Sequence, residues 1–230
     1  MPFHWTDTVA RLREALTGDL PGPEAHLRMA PTPRPGWKPG HMPEGAREGA
    51  ALLLLYPEGD VPRVVLTVRR HDLPDHPGQV SFPGGVREAG ETLEEAALRE
   101  AEEEVGVPRS LVTVLGALSS LYIPVSRFAL HPFLGIAEAR PPLVPEDAEV
   151  GRILEPELAH LVRPDTVHVE ERLILERDRS VPYFRVDGEK VWGATGMVLA
   201  ELLWLLGRAP DRPRVPPCTP RRTDARRSGR

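Results

Sequence analysis

At 230 residues the chain is long enough for one sizeable core and tight for two full domains. Its formal charge of -5 is unevenly spread, because residues 209–230 hold seven arginines against two aspartates, leaving an acidic body and a basic tail. An acidic body disfavours broad nucleic-acid binding and suits hard divalent cations, while Cys218, the only cysteine, excludes an intrachain disulfide and a cysteine-cluster metal site.

In chain order, Met1–Asp7 lacks the basic segment and apolar run of a secretory signal. Val9, Leu12 and Leu16 recur at helix spacing behind Thr6 or Asp7 as caps, so residues 1–20 are expected to carry a short helix. Seven prolines with Gly36 and Gly40 crowd the span from Pro21 to Pro43. They remove amide donors and regular dihedrals, so 21–49 reads as an extended connector.

The main domain is expected over 50–208. Ala50–Tyr56 reads as a buried strand, and Pro57-Glu58-Gly59-Asp60 as the turn into Val61–Val68. A short extended piece at Gln79–Phe82 precedes Pro83-Gly84-Gly85, where glycine opens dihedrals closed to other residues and lets a group approach the backbone. Thr92–Val105 is the strongest helix: Thr92 caps it, Glu94 and Glu95 sit at the positive end of its dipole, and Gly106 stops it.

Leu111–Leu121 and Phe128–Ile136 read as strands. Beyond the proline-rich loop 140–147, Val150–Leu154 leads to a helix at Glu157–Val162, His168–Leu175 and Tyr183–Val186 form a later hairpin, and Thr195–Leu206 is a helix with Gly207 as its stop. The mixture lacks a regular crossover repeat and favours a mixed sheet flanked by helices. The tail 209–230, with five prolines and almost no bulky apolar residues, is expected to be disordered. The longest apolar runs are too short to cross a bilayer, so a soluble, cytoplasmic protein is expected, bound stably neither to membrane nor to nucleic acid.

On the strongest helix Glu100, Glu103 and Glu104 stand at i, i+3 and i+4, on one face. Like charges so placed cost roughly 0.2–0.5 kcal/mol per pair when exposed, and a divalent cation reverses the sign. Magnesium fits because it prefers oxygen ligands, keeps waters and contacts substrate phosphates; manganese can substitute. Three glutamates alone fit a solvated acidic face equally well.

Gly85, Glu91, Arg99, Glu100, Glu103, Glu104 and Gly106, with Ala101 and Val107 at the apolar positions, make a pattern that resembles the Nudix hydrolase box throughout. The resemblance implies an α/β/α sandwich around a mixed β-sheet. It also implies hydrolysis of a nucleoside diphosphate linked to another moiety by metal-activated water, with Glu100, Glu103 and Glu104 as ligands. Arg99 is expected either to pair with Glu91 and buttress the loop or to make a plain surface pair, and Gly84 and Gly85 to let the loop turn tightly beside the ion.

Upstream, Leu66-Thr67-Val68-Arg69, Leu73, His76, Gly78-Gln79-Val80 and Phe82–Gly85 resemble the signature of Nudix coenzyme A pyrophosphatases. That resemblance implies cleavage of coenzyme A or acyl-coenzyme A to 4'-phosphopantetheine, or its acyl form, and adenosine 3',5'-bisphosphate. Arg69, with Arg70 and His76 in part, maps onto its basic positions, but Pro74 stands where arginine is common. Glu149 and Glu103 are the candidates for general base, and Tyr122 and Phe128 either pack on substrate or belong to the core. ADP-ribose, dinucleotides or another nucleoside diphosphate are the nearest alternative substrates, and a non-catalytic nucleotide-binding regulator is the alternative of another class. The partner is thus a small molecule with a pyrophosphate linkage; a homodimer through the first helix or the proline-rich arm stays open.

Overall fold

A computed structural model describes residues 3–33, 40–174 and 176–211. The basic tail from 212 onward, and with it the expectation of disorder there, lies outside the described residues, as do positions 34–39 of the connector.

The fold is organised by β1 (Arg47–Glu58), whose residues 49–56 are all buried. Such an apolar run without polar alternation needs cover on both faces. On one face Ala50, Leu52, Leu54 and Tyr56 pack with Ala96, Ala97, Ala101 and Val105 of α3 (Leu93–Val105). On the other, Ala51, Leu53 and Leu55 join Met197, Val198 and Leu202 of α5 (Gly193–Leu205). Fully burying each leucine is worth roughly 1.5–3 kcal/mol, so this strand and its two helices form the α/β/α layering. Helix α5 is buried from Thr195 to Leu203, in keeping with a sequence that is apolar on every face apart from Thr195 and Glu201.

The central sheet is mixed, as expected. It runs β2 (Val61–Val64), β1, β8 (Phe128–Ile136), β6 (Thr113–Ala117), with β5 (Gly84–Val86) also on β1 and β7 (Leu121–Ile123) also on β8. β1 and β8 are parallel, from Arg47↔Phe128 to Leu55↔Ile136, while the other pairs are antiparallel. A parallel pair needs a long crossover, and here the crossover contains α3.

Several expected elements come out differently. Val61–Val68 is not one strand: the chain leaves β2 and enters β3 (Leu66–Arg69), which joins β4 (Val80–Ser81) and β9 (Val150–Leu154) in a separate three-stranded sheet. Leu111–Leu121 is broken into a 3-10 turn at Arg109–Leu111, β6 and β7, and β6 itself carries a register shift against β8 between Val114 and Gly116. The late hairpin is longer than its apolar core suggested, pairing β10 (Val167–Ile174) with β11 (Arg177–Val186), and β12 (Glu189–Trp192) completes its sheet.

The first helix, α1, spans Trp5–Ala15. The connector is not simply extended, since α2 (Pro23–His26) forms with proline at its first turn, where the missing amide hydrogen would lack a partner anyway. His26 makes this turn integral to the fold: its Nε2 lies 2.8 Å from Oε2 of Glu201 on α5, with both side chains buried. The other Glu201 oxygen accepts the Ser119 amide at 3.1 Å. The 4-residue helix α4 spans Leu158–Leu161.

Candidate active site

Helix α3 starts with a capping box, in which the Thr92 hydroxyl accepts the Glu95 amide and the Glu95 carboxylate accepts the Thr92 amide. It ends at Gly106, whose φ of 70° is left-handed. Both ends being fixed, the phase of Glu100, Glu103 and Glu104 is fixed as well.

Arg99 is the hub beside them. It donates to Glu91 through Nε at 3.1 Å and Nη2 at 2.9 Å, and to the Val86 carbonyl at 3.1 Å. These contacts pin the loop between β5 and α3 to the helix. Beyond the expected pairing with Glu91, Nη1 also reaches Glu100 at 2.9 Å and Glu103 at 3.0 Å. The guanidinium and the Glu88 amide hold the Glu91 carboxyl down at about 2.

Gly84 and Gly85 serve this geometry through their missing side chains. Neither has a left-handed φ. A Cβ on Gly85 would fall on the Glu100 carboxylate, and one on Gly84 on the Ala50 carbonyl and Ala51. The Gly84 amide donates to Glu104 at 3.3 Å.

Burial, then the charge of Glu100, pushes the Glu104 carboxyl up to about 8, and Glu149 adds to the repulsion. Glu100 is likewise pushed up, first by burial. Glu149 comes from a loop that docks on the end of α3 through Val144 N to Val105 O and Glu146 N to Glu104 O, each 2.9 Å. Its carboxylate accepts from Arg69 Nη1 at 2.8 Å, and the Arg69 charge opposes the upward shift of Glu104.

Carboxylates that raise one another's proton affinity form a field a hard cation would relieve. The donor set is all oxygen, as magnesium or manganese requires. Glu103 and Glu149 both add to that field at Glu100, and Glu149 adds to it at Glu104 as well; each is half exposed and paired with an arginine, Glu103 with Arg99 and Glu149 with Arg69. Among the described residues no three His, Cys, Asp or Glu side chains converge closely enough to hold a metal ion as they stand.

Beside this field lies a cavity of about 670 Å³. Gly84, Gly85, His76, Tyr122 and Phe128 line it, as do the apolar Phe82, Leu121, Ile123, Leu130 and Met197. Arg69 and Arg70 do not. Arg69 is spent on Glu149 and the Asp75 carbonyl, and Arg70 on Asp72 and the Asp147 carbonyl, and both line a smaller depression instead. The cavity also takes in His41, Arg179 and Trp192. Of these, His41 and Arg179 had no signal of their own in the sequence, since they arrive from the connector and the late hairpin only through tertiary packing.

The family model described as the NUDIX domain matches residues 46–179. The chain is 32% identical over 165 residues to the uncharacterized Nudix hydrolase NudL of Enterobacter sp. (strain 638), covering 71% of this chain and 85% of the relative. It is 34% identical over 167 residues to the protein of the same name from Cronobacter sakazakii, covering 70% and 84%. Among solved structures, RenU, a Nudix hydrolase from M. smegmatis, is 25% identical with a TM-score of 0.44, covering 50% of this chain and 73% of that one. DR0079 from Deinococcus radiodurans is 17% identical with a TM-score of 0.44, covering 73% and 86%. Among the described residues no helix is long and apolar enough to cross a membrane.

Proposed function

Because the chain belongs to the Nudix family, we propose that it is a divalent-cation-dependent hydrolase that cleaves the pyrophosphate bond of coenzyme A or its acyl thioesters. The observation that carries the reading is the field at Glu100 and Glu104, to which Glu103 and Glu149 add, beside a largely apolar cavity. Bound there, magnesium or manganese would screen the pyrophosphate oxygens and lower the pKa of a water.

The chain's own residues do the rest. Glu100 and Glu104 would hold the ion, with Glu103 joining once it leaves Arg99. The Arg99–Glu91 pair, together with the bond from Arg99 to Val86 O, keeps the loop against the helix, so that the glycine edge at 84–85 stays close to the carboxylates. Glu149 can take a proton from the attacking water if Arg69 lets go of it; geometry in the substrate complex decides such a role. The apolar walls contributed by Leu121, Ile123 and Phe128 suit the uncharged parts of a bulky substrate.

The preference for coenzyme A rests on the resemblance of residues 66–85 to the coenzyme A pyrophosphatase signature. ADP-ribose or a dinucleotide is the second reading, favoured by the substitution of Pro74 for a common arginine. Product identification with coenzyme A, ADP-ribose and NADH, each with and without magnesium, separates them. Coenzyme A should give 4'-phosphopantetheine and adenosine 3',5'-bisphosphate faster than the other two are cleaved. Faster turnover of either competitor would defeat the narrower assignment, and no magnesium-dependent turnover of any would favour a nucleotide-binding regulator.

A further inference from the structure

Arg179 is a cation in the cavity that the Nudix box does not explain. It sits on β11 and lines the same cavity as Gly84 and Gly85. Its Nη1 donates to the Pro33 carbonyl at 2.9 Å, and its Nε is buried without a hydrogen-bond partner among the described residues. Among the described residues no carboxylate forms an ion pair with it. Its cross-strand neighbour is another cation, Arg172, a pairing that is unfavourable unless something offsets it. Arg172 is offset by Glu170 and by the Trp192 ring, 4.3 Å from its guanidinium carbon. Among the described residues Arg179 has no such compensation.

A buried guanidinium N–H without an acceptor is costly, so a site that keeps one in a largely apolar cavity is suited to an anion. Arg69 and Arg70, the arginines the sequence offered for phosphate, are both committed to acidic partners. We propose that Arg179 is a specificity-determining residue that binds a phosphate monoester of the substrate remote from the pyrophosphate being cleaved. On the coenzyme A reading, on which this rests, that group is the 3'-phosphate of the adenosine half. A planar guanidinium matches phosphate through paired N–H donors, and burying a doubly charged group among apolar walls requires such a partner.

The test measures binding of adenosine 3',5'-bisphosphate and of AMP, in magnesium, to the full-length protein and to Arg179→Gln and Arg179→Lys. The wild type should bind the bisphosphate roughly ten- to a hundredfold more tightly than AMP, as expected for a charge-assisted contact. Arg179→Gln should erase that preference while leaving AMP affinity within about twofold, and Arg179→Lys should keep part of it. Equal weakening of both nucleotides in Arg179→Gln, or a wild type that does not distinguish them or binds neither, would overturn the proposal. Arg179-dependent discrimination without hydrolysis of coenzyme A would leave this subsite standing and sink the coenzyme A reading instead.

Discussion

Gly85 stands so close to Glu100 that a Cβ at position 85 would occupy the place of the Glu100 carboxylate. Strand β5 and helix α3 are therefore in register through an absent side chain. Gly85→Ala should push the flexible carboxylate aside, cost less than about 1 kcal/mol of stability because no core packing is disturbed, and lower turnover on the order of a hundredfold, the cost of a misplacement of about 1 Å. Urea unfolding together with steady-state rates checks both parts. Wild-type turnover in a folded variant would show that the contact does not position the site.

Arg99 couples the loop to the helix through Glu91, and this coupling has a pH signature. The Glu91 carboxyl is depressed to about 2 in the fold by its Arg99 and Glu88 contacts. A depressed carboxyl stabilises the fold above its unfolded pKa and loses that contribution as pH falls through the folded value. The loss should fall between roughly pH 4.5 and pH 2 in the wild type. In Arg99→Gln, urea midpoints should be lower at pH 6 and should change less across that acid window.

Glu104 has the opposite sign. With its carboxyl raised to about 8 in the absence of a cation, the folded state holds its proton where the unfolded chain has lost it. The metal-free protein should therefore lose stability as pH rises from roughly 4.5 to about 8. Magnesium should restore more stability at pH 8 than at pH 5, because a ligand must be deprotonated. Glu104→Gln should flatten both trends in melting temperature measured with chelator and with magnesium.

The buried pair of His26 and Glu201 tests whether α2 belongs to the folded body. Glu201→Ala leaves the His26 ring and the Ser119 amide without their acceptor, and breaking a buried pair this way costs about 3–5 kcal/mol. Glu201→Gln, which keeps one carbonyl acceptor, should cost less. Equilibrium urea unfolding would show the difference, and a loss below about 1 kcal/mol for Glu201→Ala would mean that the proline-rich arm is only loosely attached.

Local chemistry made much of this legible in the sequence. Thr92, Glu95 and Gly106 mark the ends of α3 because capping acts within four residues, and the run Ala50–Tyr56 announces a strand covered on both faces. The spacing of the glutamates placed them on one helix without telling that Arg99 would bridge Glu100 and Glu103. Long-range assembly left weaker traces. Glu149 reaches the field of Glu104 because the 140–149 loop bonds to the end of α3, and Arg179 enters the cavity through the β10–β11 hairpin. The division of Val61–Val68 between two sheets is equally tertiary, since an apolar strand run looks the same in either sheet.

The most direct measurement is manganese binding to the metal-free protein by electron paramagnetic resonance, alongside coenzyme A cleavage, in the wild type and in the Glu100→Gln, Glu104→Gln double variant. If these carboxylates hold the hydrolytic cation, the double variant should keep its fold by circular dichroism while losing at least about tenfold in manganese affinity and nearly all turnover. Wild-type ion binding together with wild-type cleavage in the double variant would contradict that role.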